Sequence, residues 1–193
     1  MKNIGLLGGS FDPPHKGHLY ISIEAKKILK LDEVWWLVTP KNPLKINQPA
    51  SYKERVKNCK SISKTQPIKV KEIEKQIESK YSYQTIKYIK KHYNNIKFVW
   101  LMGADNLINF HKWQNADKIF KEIPIVVFRR YGYNEKALKS YTSNLYKNFK
   151  LNSHNIHIEH FKTLPAWTII QNKEIKISST EIRKQREKLR SKN

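Results

Sequence analysis

Only one cysteine, two methionines and six glycines occur among 193 residues, and Asp and Glu are outnumbered 16 to 38 by Lys and Arg. A lone Cys59 excludes an internal disulfide framework and a multi-cysteine metal site. Within the helical spacing of residues 52–63 it reads as a small, part-buried side chain rather than a catalytic thiol. A reducing, cytoplasmic setting is therefore expected. No apolar run is long enough to span a bilayer. The first residues enter a strand pattern directly, with no charged-then-apolar leader, so neither a membrane partner nor a secretory signal is expected.

The shortage of acid leaves a net charge of +22. Such a surface attracts nucleic acid, membranes and any polyanion. However, the excess is 32 Lys against 6 Arg, spread along the whole chain, whereas base reading and phosphate clamping favour the rigid fork of arginine. The charge reads as a lysine-coated surface that draws in anionic substrates. A basic nucleic-acid-binding protein is the alternative, and no specific nucleic-acid partner is expected.

Hydrophobic residues make up 39% and aromatics 11%, enough for one globular core at this length. Strand and helix patterns alternate. Strands are expected at residues 3–7, 33–38, 68–71, 98–102, 125–128 and 156–158, and helices at 18–29, 52–63, 82–93, 116–122 and 178–189. Residues 132–150 are polar and fit neither template. The alternation predicts an α/β fold with a parallel, doubly wound sheet and a single domain over 1–193.

Three of the six glycines fall in one stretch, GGSFDPPHKGH, residues 8–18. Glycine and proline make it a turn between a strand and a helix, where helix N-terminal amides meet phosphates. It lacks the Lys and Ser/Thr of a Walker loop and the spacing of a dinucleotide fingerprint. His15 and His18, three apart at a helix start, share one face with Cβ atoms about 5–6 Å apart. Gly17 between them permits close approach to the backbone. Two imidazoles fall short of a zinc site, which usually takes a third protein ligand, and no metal-ligating residues are assigned. Donation of hydrogen bonds and positive charge to phosphate oxygens is the better reading.

That stretch resembles the signature of the nucleotidyltransferase superfamily with the HxGH motif. A second stretch, Ile177-Ser178-Ser179-Thr180-Glu181-Ile182-Arg183, resembles its ISSTxIR element; alone it would read as an N-capped helix. Within the superfamily the chain is most similar to the bacterial nicotinate-nucleotide adenylyltransferases. Tyr81-Ser82-Tyr83-Gln84-Thr85 resembles their YTxxT element, with Ser82 in place of its first Thr. Leu101-Met102-Gly103-Ala104-Asp105 resembles their GAD strand end, Trp113 follows at the family's distance, and Arg129-Arg130 resembles the arginines after the fifth strand. Pro40-Lys41-Asn42-Pro43-Leu44-Lys45 resembles a PPHK-type loop, with Leu44 in place of its His.

The resemblance implies a Rossmann-like domain that transfers adenylate from ATP, with Mg²⁺, to nicotinic acid mononucleotide, releasing pyrophosphate without a covalent intermediate. The same chemistry on nicotinamide mononucleotide or phosphopantetheine is the runner-up. It further implies that His15 and His18 are catalytic. ATP would be bound by Gly8, Gly9, Ser10, Phe11, His15, His18, Lys45, Ser178, Ser179, Thr180 and Arg183. The mononucleotide would be bound by Ser82, Thr85, Gly103, Asp105, Trp113, Gln114 and Arg130. Trp113 offers a flat face to a pyridine ring, and amides near Ser82 and Gln114 offer donors to its carboxylate. Asp105 is placed to accept ribose hydroxyls. Without the family pattern, Trp113 would read as a core aromatic and Asp105 as a helix N-cap. The sequence leaves a homo-oligomer open.

Overall fold

Runs such as VWWLV at residues 34–38 are apolar at every position, and only a strand covered on both faces buries them all. In the computed structural model, which describes residues 1–40 and 50–190 (Arg190 without its side chain), six strands form one parallel sheet. They are β1 (Lys2–Gly9), β2 (Glu33–Val38), β3 (Ile68–Lys71), β4 (Ile96–Gly103), β5 (Ile125–Phe128) and β6 (Trp167–Ile170). Their order across the sheet is β3-β2-β1-β4-β5-β6. Nine α-helices lie between or after them among the described residues: α1 (Lys16–Leu29), α2 (Tyr52–Ile62), α3 (Ile73–Gln76), α4 (Ser82–His92), α5 (Ala104–Asn109), α6 (Ala116–Glu122), α7 (Asn134–Leu138), α8 (Tyr141–Leu145) and α9 (Ser179–Arg190).

Alternate side chains of β1, β2, β4, β5 and β6 enter different cores. Leu6, Trp35, Leu37, Trp100 and Met102 pack with Ile86 and Ile89 of α4, Leu107 of α5 and Ile119 of α6. Leu7, Trp36, Val38, Val99 and Leu101 pack with Ala25 and Leu29 of α1 and with Val56 and Cys59 of α2. The chain therefore winds helices onto both faces, as the alternation of patterns predicts. It runs outward from β1 to β3, then crosses back to β4 on the other side of β1. Ligands of such sheets bind at the carboxyl ends of the strands where the order reverses. Here that point lies between β1 and β4.

Two expectations are corrected. Residues 156–158 do not form a strand: Ile158–His160 is a single 3₁₀ turn. Ile156 and Ile158 alternate because both are buried against the α1 face of the sheet, and His157 Nδ1 lies 3.1 Å from the Ile28 carbonyl, so this segment packs without joining a ladder. The sixth strand is Trp167–Ile170, buried at all four positions, a short run that gives no alternation to detect. The polar stretch around 132–150 resolves into the small helices α7 and α8 and a 3₁₀ turn.

One buried hydrogen bond ties the sheet to α1. Trp36 Nε1–H donates to Ser22 Oγ at 2.8 Å, and Ser22 Oγ–H donates to the His18 carbonyl at 2.9 Å. Replacing Ser22 by Ala leaves a buried indole N–H without a partner, so urea unfolding of Ser22→Ala should show a loss of about 1–3 kcal/mol. Unchanged stability would contradict this role.

Candidate active site

The turn after β1 is shaped by aromatic rings pressing on its glycines. A Cβ on Gly8 would stand 3.0 Å from the Trp100 ring, and one on Gly9 would stand 3.3 Å from the Phe11 ring. Phe11 adopts a left-handed backbone (φ 48°) and turns its ring inward, stacked on Trp36 at 4.8 Å and also 4.8 Å from the His18 ring. What Phe11 offers to a ligand is therefore its backbone.

The two histidines hold each other through the start of α1. His15 is the N-cap, and its Nδ1 accepts the Gly17 N–H at 3.1 Å. His18 Nδ1 accepts the His15 N–H at 3.2 Å, and the ring centroids lie 3.9 Å apart. With both Nδ1 atoms accepting backbone N–H groups, each ring keeps its Nε2 as the nitrogen left to donate. His15 is buried, with its pKa lowered to about 4, first by desolvation and then by the nearby Arg130 cation, with Glu181 opposing. Burial thus favours the neutral imidazole for His15. A Cβ on Gly17 would lie 2.9 Å from the His15 ring and 3.0 Å from Ile177. The close approach that Gly17 permits is thus made by the second motif and by His15 itself.

The two motifs meet. Ser179 Oγ donates to the Pro13 carbonyl at 2.9 Å, and Arg183 Nη1 donates to the Asp12 carbonyl at 2.5 Å. The Asp12 carboxylate stands 3.6 Å from Arg183, and Arg183 Nη2 reaches Thr180 Oγ1 at 3.3 Å. Ser178 caps α9: its Oγ accepts the Glu181 N–H at 3.1 Å and donates to the Glu181 carboxylate at 3.0 Å. The N-terminus of α9, with its unpaired amides, is therefore fastened beside the N-terminus of α1.

Beyond β4, Asp105 Oδ2 pairs with Arg130 at 2.6 Å, while Asp105 Oδ1 is buried with no hydrogen-bond partner. Asp105 does not cap its helix; Gly103 occupies that position without a side-chain bond, and a Cβ there would sit 2.6 Å from Asp105 Oδ1. Trp113 is half-buried, 4.9 Å from Phe110 and edge-on to Trp100 at 6.3 Å, with Gln114 exposed beside it. Trp100 thus touches both Trp113 and the place of Gly8. Ser82 opens α4 without a side-chain cap. Thr85 is fully buried, its hydroxyl 3.3 Å from the Tyr81 carbonyl. It steadies the helix start and is closed to solvent. Lys45, with Leu44, lies outside the described residues.

Two buried charged residues were not singled out by the sequence reading. Arg55 on α2 donates to four carbonyls: Ser10 at 2.6 Å, Thr39 and Pro40 at 2.8 Å, and Ala50 at 3.0 Å. A usable signal existed, because an arginine in a chain with 32 Lys and 6 Arg marks a place that needs a fork rather than a charge. Glu74 on α3 is buried beside the hydroxyls of Thr39 and Thr85, and burial raises its carboxyl to about 7. No sequence pattern distinguishes it from its solvated neighbours. Cys59, as expected, is buried, and burial pushes its thiol up to about 12.

The chain matches the family model described as Cytidylyltransferase-like over residues 6–185. It is 42% identical to a protein of Ruegeria sp. (strain TM1040) named "Probable nicotinate-nucleotide adenylyltransferase", over 94% of this chain and 96% of that one. A protein of Rhizobium meliloti (strain 1021) with the same name is 38% identical over 93% of this chain and 96% of its own. The solved structure of Plasmodium falciparum nicotinic acid mononucleotide adenylyltransferase complexed with NaAD shares the fold, with a TM-score of 0.71 at 21% identity, covering 95% of this chain and 83% of that one.

The buried titrating groups predict opposed pH effects on stability. His15 falls to about 4 on folding, so its contribution is present above the unfolded value near 6.5 and is lost as pH drops toward 4. Glu74 rises to about 7, so its contribution is present below about 4.5 and is lost as pH climbs through 7. Urea titrations from pH 4 to 8 should show Glu74→Gln more stable than wild type above pH 7, by on the order of 1 kcal/mol or more. His15→Asn should flatten the decline on the acid side. Parallel profiles for all three proteins would refute both assignments.

Proposed function

We propose, from the premise that the chain belongs to the cytidylyltransferase-like family and to its nicotinate-nucleotide adenylyltransferases, that it joins ATP and nicotinic acid mononucleotide into nicotinic acid adenine dinucleotide and pyrophosphate. The reaction belongs to NAD biosynthesis. A phosphate oxygen of the mononucleotide attacks the α-phosphorus of ATP, the α–β phosphoanhydride bond breaks, and pyrophosphate leaves with the electron pair. We read the whole chain, 1–193, as one nucleotidyltransferase domain working in the cytoplasm.

The observation that carries the reading is the junction of Ser179 with Pro13 and of Arg183 with Asp12. It supports a triphosphate held between two helix N-termini, with Nε2–H of His15 and His18 donating to the oxygens around the α-phosphorus. Arg183 and the first amides of α9 serve the β- and γ-phosphates. Such donors stabilise charge that builds up in transfer and need no rearrangement as it does so. A neutral His15 suits this work, since it donates without losing a proton near pH 7. The unpartnered Asp105 Oδ1 fits an acceptor for ribose hydroxyls, with Arg130 holding the other oxygen. Trp113 is braced on Phe110 and Trp100, which suits a rigid platform for the pyridine ring.

The family works with a divalent cation alongside its nucleotide. Among the described residues no three His, Cys, Asp or Glu side chains converge on one point. Mg²⁺ would therefore be held by the phosphate oxygens of ATP, as this ion commonly is. Bound there it supplies neutralising charge to the leaving pyrophosphate.

Pyrophosphate release should require ATP with nicotinic acid mononucleotide, and nicotinamide mononucleotide and phosphopantetheine should be poorer acceptors. Loss of the charge-assisted carboxylate contact corresponds to about a 10- to 100-fold preference for the acid. Equal rates with the amide would overturn the acceptor assignment. His18→Ala should lower turnover by about 10²–10³ with the fold intact. Trp113→Ala should raise the KM for the mononucleotide and leave that for ATP nearly unchanged. The reverse pattern would move Trp113 to the adenine side or the core.

A further inference from the structure

Arg55 is 1% exposed, yet its four hydrogen bonds all end on neutral carbonyls. The fork is satisfied and the charge is not. Asp12 acts on it only at longer range, and burial lowers its pKa. A buried cation without a contacting counterion is costly to keep, so what it holds in place matters. Its partners lie on three separate pieces of chain: Ser10 in the turn after β1, Thr39 and Pro40 at the end of β2, and Ala50 before α2. Thr39 in turn donates its N–H to the Gly9 carbonyl at 2.9 Å, so both edges of the turn converge on one guanidinium.

The orientation has a consequence for ligands. In a trans peptide the N–H points opposite to the C=O. Fixing the Ser10 carbonyl on a guanidinium inside the protein aims the Phe11 N–H away from the core. On the other side of the turn Arg183 takes the Asp12 carbonyl. Carbonyl oxygens at 10 and 12, which would repel a phosphate, are thus each occupied by an arginine.

We propose that Arg55 is a positioning residue for the nucleotide: by gathering the carbonyls of Ser10, Thr39, Pro40 and Ala50 it sets the turn so that the Phe11 N–H and a positive potential from beneath face the triphosphate. This rests on the reading of ATP as substrate. It makes the end of β2 and the start of α2 part of the phosphate site without any contact of their own.

The test compares ligands that differ in phosphate. Arg55→Lys keeps the charge and loses the fork. By calorimetry it should weaken ATP about 10- to 100-fold, while adenosine and nicotinic acid mononucleotide stay within about twofold of wild type. Unchanged ATP affinity, or equal weakening of all three ligands, would overturn the proposal. Should the variant not fold, the wild-type protein decides by NMR. Inorganic triphosphate alone must shift the Phe11 amide and Arg55 Nε–H resonances, and adenosine must not; the absence of that difference would overturn it equally. Failure of the wild-type protein to make the dinucleotide would sink the acceptor reading and leave these phosphate titrations interpretable.

Discussion

Ser179 and Pro13 stand 166 residues apart in the chain and 2.9 Å apart in the fold, and the site exists only because the sheet brings them back together. β6 lies at one edge, three strand spacings from β1, a distance of about 14 Å. Residues 171–178 cover it with room to spare, since eight extended residues reach about 26 Å. The strap is pinned along the way. Asn172 accepts the Arg129 N–H at 2.7 Å and returns a bond to the Arg129 carbonyl, and Glu174 pairs with the Arg129 side chain at 2.7 Å. The arginine next to the one that faces Asp105 therefore fixes the path by which α9 reaches the β1 turn.

Charge inside this molecule follows a different rule from charge on its surface. Lysine coats the outside, with ion pairs such as Lys60–Glu72 and Lys97–Glu159 left largely exposed and worth little each. Four of the six arginines stand where geometry counts: Arg55 on four carbonyls, Arg129 on the strap, Arg130 on Asp105, Arg183 on the turn. The histidines stand apart from both groups. Burial favours the neutral form of His15, and its Nδ1 accepts the Gly17 N–H. Arg130, which acts on His15, and Arg183, on the Asp12 carbonyl, bring fixed positive charge to this end of the sheet.

The fold was legible because its physics is local and repeated. Apolar runs at 33–38 and 125–128 became β2 and β5 to the residue, and 98–102 became β4 with one or two residues added at each end, since each must bury both faces. Ile156 and Ile158 misled for the same reason: alternation reports burial of one face, and a packed loop buries side chains as well as a strand does. Trp167–Ile170 escaped because Thr168 interrupts its apolar run, whereas the equally short Ile125–Phe128 is apolar throughout. At the site, the glycines and histidines of the first motif and the Ser-Ser-Thr of the second stood out by type and spacing. Arg55 was marked only by the scarcity of arginine in a lysine-rich chain, and nothing in EIEKQ separates the buried Glu74 from a solvated charge. Gly17 permits close approach to its backbone, and the His15 ring and Ile177 make that approach.

Because the last helix closes the first turn, the chain acquires its two halves of the site at different moments of its synthesis. At typical elongation rates of about 5–20 residues per second, the histidine pair leaves the site of translation on the order of ten seconds before Arg183 is made. During that interval β1, α1 and β2 can pair locally, as contacts of short sequence separation form early. The carbonyls of Asp12 and Pro13 meanwhile lack the donors that later hold them. A nascent chain of this kind can hold the first turn in place while the contacts of Ser179 and Arg183 with it are still to be made.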